Sequence, residues 1–303
     1  FVKEVVREMT VKAGQKCTAI RRALVPAALL DAAQNAIAGR LAKTTIGDPG
    51  LEQVRMGALV SQSQRSDVRE KVSILSGEAK IVFGDPETAV IIGDDAQSGA
   101  FVSPILLRCD DPWSAKSVHE VEAFGPVSTL MPYKNFTDAI ELCNRGGGSL
   151  VMSLFTHDPQ LAREVVRNTG AFHGRIAVIN RDSAKESTGH GSPLPTLVHG
   201  GPGRAGGGEE MGGVRGVKHY MQRTAIQGHP TMLTALTEQY QPGGAQPESE
   251  PHAFRKHFED LNVGDTVTTA RHTVTEADIV NFANVSGDHF YAHVDETSLE
   301  GTM

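Results

Sequence analysis

The chain is 303 residues long, 39% hydrophobic and 21% charged, with 32 glycines; this composition supports buried cores, excludes disorder over most of the length and leaves room for two domains. Its 36 acidic residues outnumber 29 basic ones, a net charge of −7, which excludes a general binder of nucleic-acid backbones. Apolar runs stay short of the ~18 residues of a membrane span, and three cysteines are too few for a disulfide framework, so a reducing, cytoplasmic setting is expected.

The chain opens on Phe1 and stops at Met303 without a terminating element, so it reads as a piece of a longer protein. Leu29, Leu30, Ala33, Ile37 and Leu41 repeat at helical spacing and predict a helix over Pro26 to Lys43. Val68, Val72 and Leu75 predict another over Gln64 to Ser76, ended by Gly77. Ala89 to Ile92, Ile105 to Leu107 and Val127 to Leu130 are short strand-like runs. Asp158, Pro159 and Gly170 bracket a third helix: a capping carboxylate, a proline at the first helical position and a glycine for a left-handed exit. Ile176 to Asn180 follows as a buried strand. The alternation predicts an α/β domain with a largely parallel open sheet.

Gly189 to Gly216 carries 11 glycines in 28 residues. It lacks the strand-turn-helix setting of a phosphate loop and is expected to be closely packed irregular backbone. A polar Pro/Gly stretch, residues 241–253, marks a linker between a region 1–240 and a region 254–303. In the latter, Gly264-Asp265 predicts a turn, Thr266 to Val274 a strand, and Thr275 to Asp278 a capping box. Ile279, Phe282, Ala283 and Val285 then share a helical face up to Gly287. Some 50 residues are too few for an ordinary closed core, so this region is expected to be truncated.

Cys109 and Cys143 lie in apolar runs, whereas Cys17 follows a glycine turn beside Lys16. A neighbouring cation is the setting that favours the nucleophilic thiolate form of a cysteine. Lys16 itself is expected to be exposed and to play no catalytic part.

The segment Gly14-Gln15-Lys16-Cys17-Thr18-Ala19 resembles the nucleophile segment of the aldehyde dehydrogenase superfamily. Glu122-Ala123-Phe124-Gly125-Pro126-Val127, whose Glu122 stands 105 residues after Cys17, resembles that family's second signature. The resemblance implies Cys17 as the nucleophile that captures an aldehyde, with its own backbone N–H in the oxyanion site. It implies Glu122 as the acceptor for the nicotinamide ribose hydroxyls and Phe124 as packing beside the nicotinamide of NADP, with NAD as an alternative. In that family a dinucleotide-binding half and a general-base glutamate precede the cysteine. Neither fits between Phe1 and Lys16, so the chain is expected to lack most of its cofactor domain and to be inactive alone.

Asp288 and His293 put a carboxylate and an imidazole five residues apart past a helix end, a pairing suited to moving protons during hydration. Asp288, His289, His293 and Asp295 lack the fixed helical spacing of zinc motifs, and no metal is assigned. Phe258 to Asp265, Thr275 to Ala283, and Gly287-Asp288 with His293 are similar to the opening of MaoC-like (R)-specific enoyl-CoA hydratases, an α+β hot-dog fold. That likeness implies Asp288 and His293 as the catalytic pair. Phe290-Tyr291 departs from the usual Asn-Pro and bears on the acyl pocket.

The union of the two halves, with the glycine-rich stretch and His219 to Ala225, resembles the bifunctional phenylacetate-degradation proteins of the PaaZ type. By implication the substrates are an oxepin-type cyclic enol-ether coenzyme A thioester, opened by hydration, and the resulting semialdehyde, oxidised with NADP. Homo-oligomers are the family expectation, with no nucleic-acid or membrane partner. Three alternatives stay open: aldehyde oxidation ending in acyl transfer to coenzyme A, a C-terminal region that only mediates interactions, and a degenerate scaffold whose sites are vestigial.

Overall fold

In the computed structural model of the protein, residues 1–93, 99–183, 186–191, 200–206, 220–245, 257–266 and 274–287 are described. The chain divides into two units, Phe1–Pro247 and Glu248–Met303.

Alternation builds the core of the first unit. Strands β1 (Arg22–Pro26), β3 (Lys80–Phe83), β5 (Ile105–Arg108) and β6 (Val127–Tyr133) form one sheet in the order β1-β6-β5-β3. Only the β3 edge runs antiparallel. Successive side chains of a strand point to opposite faces. Ala23, Val25, Leu106 and Leu130 therefore meet Val5 and Met9 of helix α1 (Val2–Thr10) and Ile37 and Leu41 of helix α2 (Leu30–Leu41) on one face. Ile105, Leu107, Val127 and Met131 meet Val68, Val72 and Leu75 of helix α3 (Gln62–Ser76) on the other. Burial on both faces is the signature of a parallel sheet in an α/β fold. The parallel pairing of β1 with β6 matches Arg22 to Thr129, and so brings the segments that precede both strands to the same end of the sheet.

A second sheet joins β7 (Met152–Phe155), β8 (Arg175–Ile179) and β9 (Ala225–Gln227) in that order and is all parallel. Ile176 and Val178 pack there against Ala162 of helix Pro159–Thr169 and Met232 and Leu236 of helix Pro230–Thr237. Asp158 caps the first of these helices by accepting from the N–H groups of Gln160 and Leu161, with proline next in line.

Two local expectations change. Gly170 keeps a right-handed φ of −56° and runs into a short 3-10 turn, Gly170–Phe172. The Gly170 N–H reaches the Val166 carbonyl and the Asn144 side chain donates to the Asn168 carbonyl, so no left-handed reversal is needed to satisfy that helix end. The strand expected over Ala89 to Ile92 contracts to β4 (Ile91–Ile92), which pairs with β2 (Ile46–Gly47), and Val90 stands in solvent.

In the second unit the turn at Gly264-Asp265 forms, with Asp265 donating its N–H to the Asn262 carbonyl. Thr275 and Asp278 make the reciprocal capping box, and the helix Glu276–Ser286 ends on left-handed Gly287. Ala283 is buried on that helix, whereas Phe282 and Val285 are exposed. The predicted strand is described only at Thr266 and Val274.

Candidate functional site

Three consecutive left-handed residues, Lys12, Ala13 and Gly14 (φ 54°, 50° and 69°), reverse the chain after α1. Two of them carry a Cβ, and such positions store strain of about 1 kcal/mol or more each, typically next to functional groups. The reversal delivers Cys17 into a turn closed by the Ala19 N–H on the Lys16 carbonyl. Cys17 is exposed, while Cys109 is buried and Cys143 partly so. Burial pushes the Cys109 thiol up to about 11 and raises that of Cys143 as well.

Glycine at position 14 is required by contact as well as by φ. A Cβ there would stand 2.1 Å from the Gly125 carbonyl oxygen, so the nucleophile-like segment and the Glu122 segment touch backbone to backbone. Arg21 joins the same two segments. It donates through Nη1 to the Gly125 carbonyl at 2.8 Å and through Nη2 to the carbonyls of Gly14 at 2.8 Å and Lys16 at 3.2 Å. Its Nε lies 3.3 Å from Glu122 Oε1, and its guanidinium sits 5.5 Å from the centre of the Phe124 ring. Burial opposes the Arg21 charge, and Glu122, Glu8 and Cys17 favour it.

Lys16 is not the exposed lysine expected. Its Nζ is 2.7 Å from Glu8 Oε2, and the two side chains are 17% and 1% exposed. Glu8 reaches this place because α1 turns it to the same buried side as Val5 and Met9. Gly191 covers the pair: a Cβ on it would meet Lys16 Nζ at 2.4 Å, Thr18 Oγ1 at 2.7 Å and Glu8 Oε2 at 2.8 Å.

His190 ties this layer to the second sheet. Its Nδ1 is 2.7 Å from Ser153 Oγ on β7, its ring also bonds the Thr18 backbone, and its carbonyl accepts from Arg175 Nη2 at 2.9 Å. Burial pulls His190 down to about 3, with Arg175 and Lys16 adding to the effect against its bond to Thr18. The described glycines 189 and 191 are thus closely packed backbone, the first against Arg7 and Glu4 and the second against Lys16 and Thr18; residues 192–199 and 207–219 lie outside the described residues.

A cavity of about 640 Å³ opens between β1 and β7, with Cys17, Thr18 and His190 at its wall and Arg204 and His173 further along. His173 shares a 2.7 Å contact with Ser149 Oγ, and burial brings it down to about 4.

The structure therefore brings Cys17, Glu122 and Phe124 into one neighbourhood through Arg21. Asp288 and His293 lie outside the described residues. Arg21, Glu8, Arg175 and His190 were not anticipated. A readable signal existed for two of them: Glu8 shares the helical face of Val5, and Arg21-Arg22 is a charged pair leading into an apolar strand. Arg175 and His190 carry no local pattern that marks them.

The residues present suit a nicotinamide dinucleotide: the Glu122 side chain is 41% exposed, so its carboxylate keeps acceptor capacity for a ribose diol beside the Phe124 ring.

Residues 1–226 match the aldehyde dehydrogenase family, and residues 260–302 match the MaoC like domain. "Protein MaoC" of Klebsiella aerogenes is 52% identical over 242 residues, 80% of this chain and 70% of that protein. The 3,4-dehydroadipyl-CoA semialdehyde dehydrogenase of Aromatoleum evansii is 46% identical over 202 residues, 66% of this chain and 39% of that protein. Among solved structures, betaine aldehyde dehydrogenase from Staphylococcus aureus in complex with NAD+ has a TM-score of 0.60 at 24% identity, over 72% of this chain and 40% of that one. The aldehyde dehydrogenase C mutant of Pseudomonas syringae, complexed with NAD+ and octanal, gives 0.58 at 25% identity, over 72% and 41%. Among the described residues no helix is long and apolar enough to cross a membrane.

Proposed function

The chain belongs to the aldehyde dehydrogenase family, and on that premise we propose that it carries the catalytic cysteine of a bifunctional enzyme whose second activity resides in its MaoC-like region. Cys17 attacks the carbonyl carbon of an aldehyde, forming a C–S bond and an alkoxide that accepts from the Cys17 backbone N–H. A nicotinamide dinucleotide, NADP in this reading, supplies the hydride acceptor when bound. Glu122 accepts hydrogen bonds from its ribose hydroxyls, and Phe124 packs beside its nicotinamide. Once that carbon has given up its hydride, the C–H bond breaking as the alkoxide re-forms C=O, water cleaves the resulting thioester on Cys17, giving the acid and returning the thiol.

Asp288 and His293 serve the other reaction, one taking a proton from water and the other giving one during addition to an enoyl or cyclic enol-ether coenzyme A thioester. In the reading proposed here the ring opened is an oxepin, the product semialdehyde is the substrate of Cys17, and the setting is cytoplasmic phenylacetate degradation by a homo-oligomer. The domain boundaries proposed are 1–240 and 254–303, joined by 241–253.

The observation that carries the proposal is the bracing of an exposed cysteine against the Glu122 segment, through Gly14 on Gly125 and through Arg21. Support for the pairing of activities comes from the family matches at both ends of the chain. In the full-length protein, Cys17→Ala should abolish aldehyde oxidation and spare hydration, and His293→Ala should do the reverse. One substitution removing both activities from a folded protein would refute the two-site reading. Recovery of a coenzyme A thioester instead of the free acid would replace hydrolysis by acyl transfer.

A further inference from the structure

Arg21 makes contacts of two kinds. Three backbone carbonyls, from Gly14, Lys16 and Gly125, accept from its terminal nitrogens at 2.8 to 3.2 Å. These bonds are part-buried and span both segments, so they fix where the guanidinium sits. Its remaining nitrogen faces Glu122 Oε1 at the longer distance of 3.3 Å, and the guanidinium carbon lies over the Phe124 ring, 5.5 Å from its centre. An ion pair with so exposed a carboxylate contributes little stability. Its effect is directional instead: one oxygen of Glu122 is occupied, and the second is left for other donors.

We propose that Arg21 is a positioning residue for cofactor binding, holding Glu122 and Phe124 in fixed register with the Cys17 turn so that a ribose diol taken by Glu122 presents the nicotinamide to the nucleophile. The proposal rests on the reading of Cys17 and Glu122 given above. Lysine does not replace arginine here, because one ammonium cannot reach carbonyls on both segments and a carboxylate together.

The test uses Arg21→Lys and Arg21→Gln in the full-length protein, with folding followed by circular dichroism. The expected result is a cofactor KM raised about tenfold in both variants while the aldehyde KM and the rate of cofactor-free Cys17 alkylation by iodoacetamide stay within about twofold. Adding Arg21→Gln to Glu122→Gln should raise the cofactor KM no further, because Arg21 acts through Glu122. If the glutamine variant does not fold, the lysine variant, which keeps the charge, decides between the outcomes. A cofactor KM within about twofold of wild type in a folded variant overturns the proposal. So does a parallel loss in all three measurements, which would make Arg21 a brace for the turn alone. Failure of the underlying reading shows separately, as a wild-type protein whose aldehyde oxidation survives Cys17→Ala.

Discussion

Lys16 Nζ donates to Glu8 Oε2 at 2.7 Å one residue before Cys17, and Gly191 seals the pair from above. Removing one partner of a shielded pair leaves a charge without compensation, which costs more than the pair itself contributes. Glu8→Gln and Lys16→Met should each destabilise the protein by about 2–4 kcal/mol, toward the lower end because Lys16 keeps some solvent. The double variant should recover part of that loss. Urea unfolding of the three proteins measures it, and strict additivity would contradict the pairing.

Gly14→Ala faces both a left-handed φ and the Gly125 carbonyl oxygen at 2.1 Å. Neither partner is a flexible side chain, so the two segments must part. The expected cost is about 2–4 kcal/mol, together with loss of aldehyde oxidation beyond what the unfolded fraction explains. Lys12→Gly, at an exposed left-handed position, should instead be neutral or stabilising by up to about 1 kcal/mol. Thermal unfolding of both variants separates these outcomes.

His190 and His173 lie at about 3 and about 4, below the ordinary 6.5. The unfolded chain therefore binds protons that the folded chain refuses. Their stabilisation is complete above pH 6.5 and is lost as pH falls toward the folded values. By about pH 5 each should have surrendered about 2 kcal/mol. His173→Gln should flatten the dependence of unfolding free energy on pH by one proton over this window, and an unchanged slope would contradict the buried neutral form.

Thiol accessibility gives an independent check. Cys17 should react with iodoacetamide in the native protein, whereas the peptides bearing Cys109 and Cys143 should be labelled only after denaturation. Mass spectrometry of the digested protein reads this directly. Native labelling of Cys109 at a comparable rate would contradict its burial within the α3 face of the sheet.

The parts of the fold legible in the sequence were those written locally. Val68, Val72 and Leu75 declare a helix by spacing, Asp158-Pro159 by capping chemistry, and Thr275 with Asp278 by a reciprocal box. Leu29 misled the periodic reading, since it sits in the 3-10 turn ahead of α2 and is exposed. Strand β1 escaped notice because Arg21 precedes it and Arg22 opens it, and arginine in a strand reads as a surface residue until its carbonyl partners are known. The site divides the same way. Cys17, Glu122 and Phe124 were legible through hexapeptides, whereas Arg21, His190 and Arg175 act through contacts that fold only in three dimensions.

The parallel register of β1 with β6 has a consequence for length variation. Cys17 and Glu122 each stand five residues ahead of their strands. A single insertion or deletion in either lead-in would displace its side chain by roughly 3.3 Å, one residue of extended chain and about the length of a hydrogen bond. The stretch that separates the two motifs can therefore grow or shrink in its loops across homologous proteins, while these two short approaches should be invariant in length.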